Sequence, residues 1–150
     1  MPAPNVDQYP QPEHNDSGSV EAALEALRNA GDESSAVDAG DALLWAVGDN
    51  HACTFHPVVL AVLPEVENVL ANGGYWAQRA AIEALIDLGG PFAPADGYET
   101  YHGSSVRDAL RTFIHSLRGR IAPLAIGEDP RARSAADLLE LIEDQSDQSS

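Results

Sequence analysis

The residues with the most obvious chemical potential lie in one short segment. The segment DNHACTFH contains Asp49, His51, Cys53 and His56, whose side chains are of the types that coordinate zinc. A closed zinc site needs four converging ligands and a supporting shell of hydrogen bonds. The spacing His51-x-Cys53-x-x-His56 is not a finger spacing, and no second cluster follows it. We therefore predict no metal and no cofactor here, and expect His51 or Thr54 to cap the helix that follows.

The same segment places a cysteine between two histidines, which is the chemistry of an activated thiol nucleophile. A lone cysteine in an apolar loop is more often simply buried. Elsewhere the chain has no nucleophile elbow, no phosphate-binding glycine loop and no His-Glu-x-x-His motif. Glu65 and Glu67 point to different sides of one predicted helix, so they are not a ready acid/base pair. The sequence predicts a protein that is not an enzyme.

Charge is the strongest compositional signal. The chain has 24 acidic and 8 basic residues, all of the latter arginine, and a formal net charge of −16. This balance opposes binding to nucleic-acid phosphates and to anionic membranes. It favours a basic protein partner, whose encounter it would accelerate, although solubility alone also explains it. Residues 1–75 contain 12 acids and one arginine, Arg28, so the first half is the better candidate for an acidic binding surface.

The expected compartment follows from features that the sequence lacks. Cys53 is the only cysteine, which excludes an internal disulfide and fits a reducing compartment. The segment MPAPNVDQYP has neither the basic nor the apolar region of a secretory signal. No apolar run approaches the roughly 20 residues that span a bilayer. The sequence predicts a cytoplasmic protein of undetermined oligomeric state.

Apolar residues recur at helical spacing in six segments, and no segment alternates as a strand does. The predicted helices cover residues 20–30, 36–47, 57–71, 75–88, 104–126 and 135–144. Four prolines among polar residues predict an extended or disordered leader at 1–17, and a disordered tail is expected at 145–150. Residues 18–144 then form a single helical domain.

Two of these helices combine acids with a tryptophan outside the predicted core face. In the second helix, the predicted core side consists of Val37, Gly40, Leu44 and Val47. The flank of the same helix presents Asp38, Asp41, Trp45 and Asp49. In the fourth helix, the face opposite the core presents Trp76, Ala80, Glu83 and Asp87. An aromatic residue beside acids on a non-core face is typical of a protein interface, although Trp76 could equally tuck under the next loop.

The fifth helix has a basic stripe instead. Arg107, Arg111, His115 and Arg118 recur along one flank. At this net charge we expect the arginines to pair with acids on neighbouring helices and not with phosphate.

The second helix pair resembles a HEAT repeat. Its sequence, VVLAVLPEVENVLANGGYWAQRAAIEALIDLG, has the mid-helix Pro64 before an acid and the run Arg79-x-x-Ile82-x-x-Leu85. The first two pairs begin about 37 residues apart, close to the repeat length of HEAT proteins, while the first and third pairs match only in outline. The resemblance implies an all-α fold, a short α-solenoid of about six helices in HEAT-like antiparallel pairs.

A narrower resemblance concerns the loop between the first two pairs. The segment LLWAVGDNHACTFHPVVLAVLPEVENVL, with Asn50-His51-x-x-Thr54-x-x-Pro57 before the Pro64 helix, is similar to small bacterial HEAT-like proteins found beside polymorphic toxins. Those proteins act as immunity proteins. The resemblance implies a protein that neutralises a cognate, basic toxin by occluding its active or substrate-binding site. It carries over no functional residue, so the candidate partner-binding residues come from the helix faces and the loop: Asp38, Asp41, Trp45, Asp49, His51, Trp76, Glu83 and Asp87.

Two other functions remain open at this point. One is a general HEAT-like interaction adaptor with no toxin as partner. The other is an acidic DNA mimic that inhibits a nucleic-acid-binding protein, which would require surface carboxylates spaced like phosphates.

Overall fold

The computed structural model describes residues 6–148, and most of them are helical. The α-helices are α1 (Ser19–Asn29), α2 (Glu33–Val47), α3 (Val59–Asn72), α4 (Tyr75–Gly89), α5 (Val106–Ser116), α6 (Arg118–Ile121) and α7 (Pro130–Gln148). Two 3₁₀ turns cover Val6–Gln8 and Ala122–Ala125. Within these residues, no helix combines the length and apolar character that a membrane crossing requires.

The helix starts follow from local capping chemistry. Asp32 accepts a hydrogen bond from the Ser35 amide, and the Ser35 hydroxyl accepts one from the Asp32 amide, so α2 begins a turn before the predicted start. Pro130 occupies the first position of α7, where a missing amide costs nothing. The Asp129 carboxylate accepts a hydrogen bond from the Ala132 amide. These features explain why α7 begins before its predicted start at residue 135. The helix also continues through residues 145–148 of the predicted tail.

Helix α4 lies at the centre of the packing. It contacts α1, α2, α3, α5 and α7, and α2 and α7 are its most extensive neighbours. The predicted core face of α4 is confirmed, because Ala81, Ile82, Leu85 and Leu88 are all buried. Ala80 was predicted to face away from the core, but it is buried as well. The reason is that α2 packs along that side of α4 and converts part of the predicted outer face into an interhelical contact.

The prediction of a purely helical chain is wrong in the loops. The strands, two residues each, are β1 (Gly48–Asp49), β2 (Thr54–Phe55), β3 (Ala93–Pro94), β4 (Thr100–Tyr101) and β5 (Ser104–Ser105). Strand β2 pairs antiparallel with β1 and parallel with β3, and β4 pairs antiparallel with β5. Two-residue strands are too short to produce an alternating pattern, so the sequence carries no periodic signal for them.

The predicted leader is ordered from Val6 onward, which corrects the expectation of disorder for residues 6–17. Val6 is buried, and Pro10 accepts a hydrogen bond from the Val58 amide over 3.2 Å. The Tyr101 hydroxyl donates to the carbonyl oxygen of Gln8 over 2.8 Å. The prolines restrict the unfolded leader and so reduce the entropy lost when it packs on the helices. Residues 1–5 of the predicted leader and 149–150 of the predicted tail lie outside the described residues.

The arginine stripe of α5 does not pair as expected. Among residues 6–148, none of the ion pairs includes Arg107, Arg111 or Arg118. The nearby acids of α3 are already paired, because Glu65 binds Arg28 at 3.1 Å and Glu67 binds Arg120 at 3.5 Å. The ion pairs therefore join α3 to α1 and α6, and leave the α5 flank without a partner acid.

Candidate partner-binding groove

Small side chains bring α2 and α4 close together and leave a groove above the contact. A Cβ atom built on Gly40 would lie 4.0 Å from the carbonyl oxygen of Ala80, which is ordinary van der Waals contact. The space above has a volume of about 180 Å³, far more than one water molecule requires. Its lining consists of Ala36, Val37, Gly40, Asp41 and Leu44 of α2 and Arg79, Ala80, Glu83, Ala84 and Asp87 of α4.

Three of the predicted partner-binding acids meet in this groove. Asp41 comes from α2, and Glu83 and Asp87 come from α4. Burial raises the pKa of Glu83 above its ordinary value, and the charges of Asp87 and Asp137 raise it further, against the lowering effect of Arg79. Burial also raises the pKa of Asp87, as does the charge of Asp41. Partial removal from water and mutual repulsion thus make ionised carboxylates costly here.

One cation lies among these acids. The Arg79 guanidinium is 3.8 Å from Glu33 and 4.0 Å from Glu83, at the edge of the ion-pair range. It also lies 5.7 Å from the ring centroid of Trp76. Its Nε is buried and donates no hydrogen bond to an acceptor in the described part of the chain. No ion pair in that part of the chain includes Asp41 or Asp87.

Val37 was predicted to be a core residue of α2, but 55% of its surface is exposed. Val37, Gly40 and Leu44 form one wall of the groove, and only Val47 of that predicted side is fully buried. Alanines occur on several sides of α2, so periodicity did not define which side faces the core. The buried residues of α2 are Ala36, Ala39, Leu43 and Ala46, together with Leu44 and Val47 of the predicted side.

Trp45 lies one turn beyond Asp41 on α2 and is 41% exposed. The His14 ring stacks on it with centroids 3.8 Å apart, and His14 Nε2 lies 2.7 Å from the Trp45 carbonyl oxygen, to which it donates. The His51 ring meets the indole edge at 5.9 Å. The sequence gives no signal for His14, because it contacts a residue 31 positions away and lies in a segment predicted to be extended or disordered.

Asp49 stabilises the hairpin between β1 and β2. Its carboxylate accepts hydrogen bonds from the amides of His51 (2.9 Å) and Ala52 (3.1 Å). The Ala52 bond lowers the pKa of Asp49 most, followed by the His51 bond. The expectation that His51 or Thr54 caps the third helix is wrong, because no side chain caps the start of α3.

The hairpin does not assemble a metal site or a thiol–imidazole pair. Cys53 is exposed, not buried as expected, and its thiol contacts the carbonyl oxygen of Asn50 at 4.0 Å. His56 is half-buried, which lowers its pKa, and its ring packs against Tyr98 at 4.6 Å. Within residues 6–148, no three His, Cys, Asp or Glu side chains converge as metal ligands would.

The remaining predicted partner-binding residues lie beside the groove. Asp38 is exposed on α2 and does not line the groove. Trp76 is half-buried against the core, with its ring meeting Tyr75 edge-on at 5.0 Å. The eight predicted residues therefore form a groove group (Asp41, Glu83, Asp87), a group at the end of α2 (Trp45, Asp49, His51) and two flanking side chains.

No family model matches the chain, and no curated protein or solved structure is significantly similar to it.

Proposed function

We propose that this chain is a HEAT-like immunity protein that binds a basic toxin and occludes the toxin's active or substrate-binding site. One observation carries the proposal: Asp41, Glu83 and Asp87 converge from two helices around an open groove that also exposes Val37. Within residues 6–148, Asp41 and Asp87 form no ion pair, and Glu83 forms only a long one with Arg79. An exposed apolar residue framed by such acids is suited to a partner that supplies basic and apolar side chains together.

The packing of the helices is consistent with stacked HEAT-like pairs. Helix α1 packs on α2 and α3 packs on α4, while α1 and α3 also contact each other, as do α2 and α4. Helix α7 continues along α4, and α5 continues along α3. In this arrangement, α2 and α4 are the second helices of successive repeats. The groove between them is then a seam on one face of a short solenoid, where repeat proteins commonly bind partners.

The proposed contact extends beyond the groove. A stable interface buries roughly 800 Å² on each partner, more than one groove supplies. The exposed Trp45 and Asp38 lengthen the surface along α2, and Trp76 with Arg79 lies at the other end of the seam. Tryptophan and arginine are the residue types most enriched among energetically dominant interface positions.

The proposed mechanism is steric and electrostatic. A toxin that acts on an anionic substrate presents basic side chains at its active site, and the acids of this chain would occupy them in place of the substrate. The formal net charge of −16 accelerates encounter with such a protein. The mechanism requires no catalysis and no cofactor from this chain.

The test is growth rescue. The product of the gene immediately upstream in the native genome is expressed in a host with and without this chain, and we expect the chain to restore growth. Asp41→Arg should abolish rescue, because it places a positive charge where a basic partner must dock. Asp96→Arg makes the same charge change in the exposed loop after β3 and should rescue normally.

Two results would contradict the proposal. If no upstream product is toxic and growth is unaffected, the chain is not an immunity protein and the adaptor function is favoured. If Asp41→Arg stays folded, as judged by circular dichroism, and rescues as well as the natural chain, the α2–α4 surface is not the binding site.

A further inference from the structure

We infer that the α2–α4 groove accepts one arginine side chain of the basic partner, with its guanidinium between the carboxylates and an apolar neighbour on Val37. This inference rests on the proposed function and names the chemistry that the groove recognises. It is carried by the charge, depth and lining of the groove, taken together.

The charge inside the groove is unbalanced. The titratable groups that line it are Asp41 of α2 and Arg79, Glu83 and Asp87 of α4. Asp137 of α7 does not line the groove, but its charge also acts on Glu83. Arg79 is shared between Glu83 and Glu33 at 4.0 and 3.8 Å. Because one shared cation faces three acids in the lining, a second cation would complement the charge of the groove.

Partial burial makes the uncompensated negative charge of the groove energetically costly. Glu83 and Asp87 are only partly removed from water, yet burial is the largest cause of the rise in the pKa of each. A cation placed between them favours the ionised form of both. Binding should therefore weaken as the pH falls through the raised pKa values, at a higher pH than for an ordinary surface carboxylate.

The lining suits an arginine better than a lysine. Ala36, Gly40, Ala80 and Ala84 give a smooth apolar floor for a methylene stem. Asp41 and Asp87 come from opposite walls, so the planar guanidinium can bind carboxylates on both sides. A lysine ammonium is a compact, strongly hydrated charge and cannot make two parallel hydrogen bonds to one carboxylate. Val37, exposed at the lip, provides contact for an apolar residue next to the arginine.

The test uses three blocked tripeptides titrated into the full chain and monitored by backbone amide chemical shifts. The probes are acetyl-Leu-Arg-Leu-amide, the same peptide with citrulline in place of arginine, and the same peptide with lysine. Citrulline has the shape of arginine without its charge. We expect the arginine peptide to shift amides of α2 and α4 around Gly40 and Glu83, and to bind about tenfold more tightly than the citrulline peptide. The lysine peptide should fall between them.

Matched variants locate the effect. Asp87→Asn keeps the shape of the side chain and should reduce the advantage of arginine over citrulline to about twofold or less. Asp96→Asn removes the same charge from an exposed loop outside the groove and should leave the advantage unchanged. Equal binding of the arginine and citrulline peptides overturns the inference. So does the absence of any shift around the groove at millimolar peptide, or a shift confined to the α5 flank.

Failure of this inference differs from failure of the proposed function. If the tripeptides do not bind but Asp41→Arg still abolishes growth rescue, the partner uses this surface without an arginine in the groove. If the arginine peptide binds as expected but no toxic partner is neutralised, the groove chemistry stands and the immunity function fails.

Discussion

The groove between α2 and α4 and the hairpin between β1 and β2 both present carboxylates, but in opposite electrostatic states. In the hairpin, two backbone amides bind the Asp49 carboxylate and lower its pKa. In the groove, burial raises the pKa values of Glu83 and Asp87, and neighbouring acids raise them further. A carboxylate that accepts two backbone hydrogen bonds within the fold stabilises a turn. One that is partly buried among other acids is available to a ligand.

The same contrast separates chemistry suggested by residue types from chemistry supported by geometry. The hairpin has the histidines and the cysteine, yet Cys53 is exposed and its thiol contacts a backbone carbonyl oxygen, that of Asn50. The groove has no unusual residue, yet it combines an exposed valine, a small-residue floor and two acids, Asp41 and Asp87, that form no ion pair within residues 6–148. Unsatisfied groups, and not reactive residue types, mark the candidate site in this molecule.

The largest expected effect concerns the anchor of the hairpin. Phe55 of β2 is completely buried, so Phe55→Ala should lower the free energy of unfolding by about 3–5 kcal/mol. Chemical denaturation monitored by tryptophan fluorescence measures this loss. Thr54→Ala, on the same strand but only half-buried, is the control and should cost far less. An equal loss for both would mean that the hairpin is not held by its aromatic anchor.

Asp49 provides the second prediction, a loss of stability. Asp49→Ala removes the acceptor for two amides and should lower the melting temperature at neutral pH. Asp49→Asn keeps an acceptor oxygen and should lower the melting temperature less. The folded pKa is lowered, so the contribution is present above the ordinary aspartate pKa and is lost as the pH falls through the lowered value. Melting curves from neutral to acidic pH should therefore converge for the natural chain and the alanine variant. Curves that stay parallel would argue against this role.

Asp87 should behave in the opposite way. Asp87→Asn removes a partly buried, repelled charge and should raise stability at neutral pH by less than about 1 kcal/mol, since solvent screens much of the effect. The folded pKa is raised, so the cost of ionisation appears as the pH rises above the ordinary value and is absent below it. The stabilisation should disappear at acidic pH. A variant less stable than the natural chain at neutral pH would show that the carboxylate is satisfied after all.

The smallest expected effect is at Cys53. Its backbone lies in the left-handed region with φ of 59°, where asparagine is tolerated and a β-branched residue is strained. Cys53→Asn should leave the melting temperature within about 1 °C, while Cys53→Val should lower it by about 2–4 °C. Excess zinc should shift neither the natural chain nor the asparagine variant. A zinc-dependent increase that requires Cys53 would restore the hairpin as a metal site.

The accuracy with which the sequence predicted the buried and exposed faces differs from helix to helix. The core stripe of α4 was predicted correctly, because Ala81, Ile82, Leu85 and Leu88 form a clear helical period. The outward orientation of Pro64 in α3 was also predicted correctly. The side of α2 that faces the core was predicted only in part: Leu44 and Val47 are buried, but Val37 is exposed. Alanines on several sides of the helix leave its periodicity ambiguous. Contacts between distant segments, such as His14 on Trp45, leave no trace in a local pattern.

In the candidate site, too, some features follow from the local sequence and others only from the packing of the helices. The sequence alone determined that α2 and α4 carry acids outside their main core stripes, because charge and helical period are properties of local sequence. It also determined the overall negative charge. Only the tertiary structure decided that Asp41, Glu83 and Asp87 share one groove while Asp49 is bound by amides in a turn. The proximity of two helices and the hydrogen bonds of a loop depend on packing, and packing determines which carboxylates remain unsatisfied.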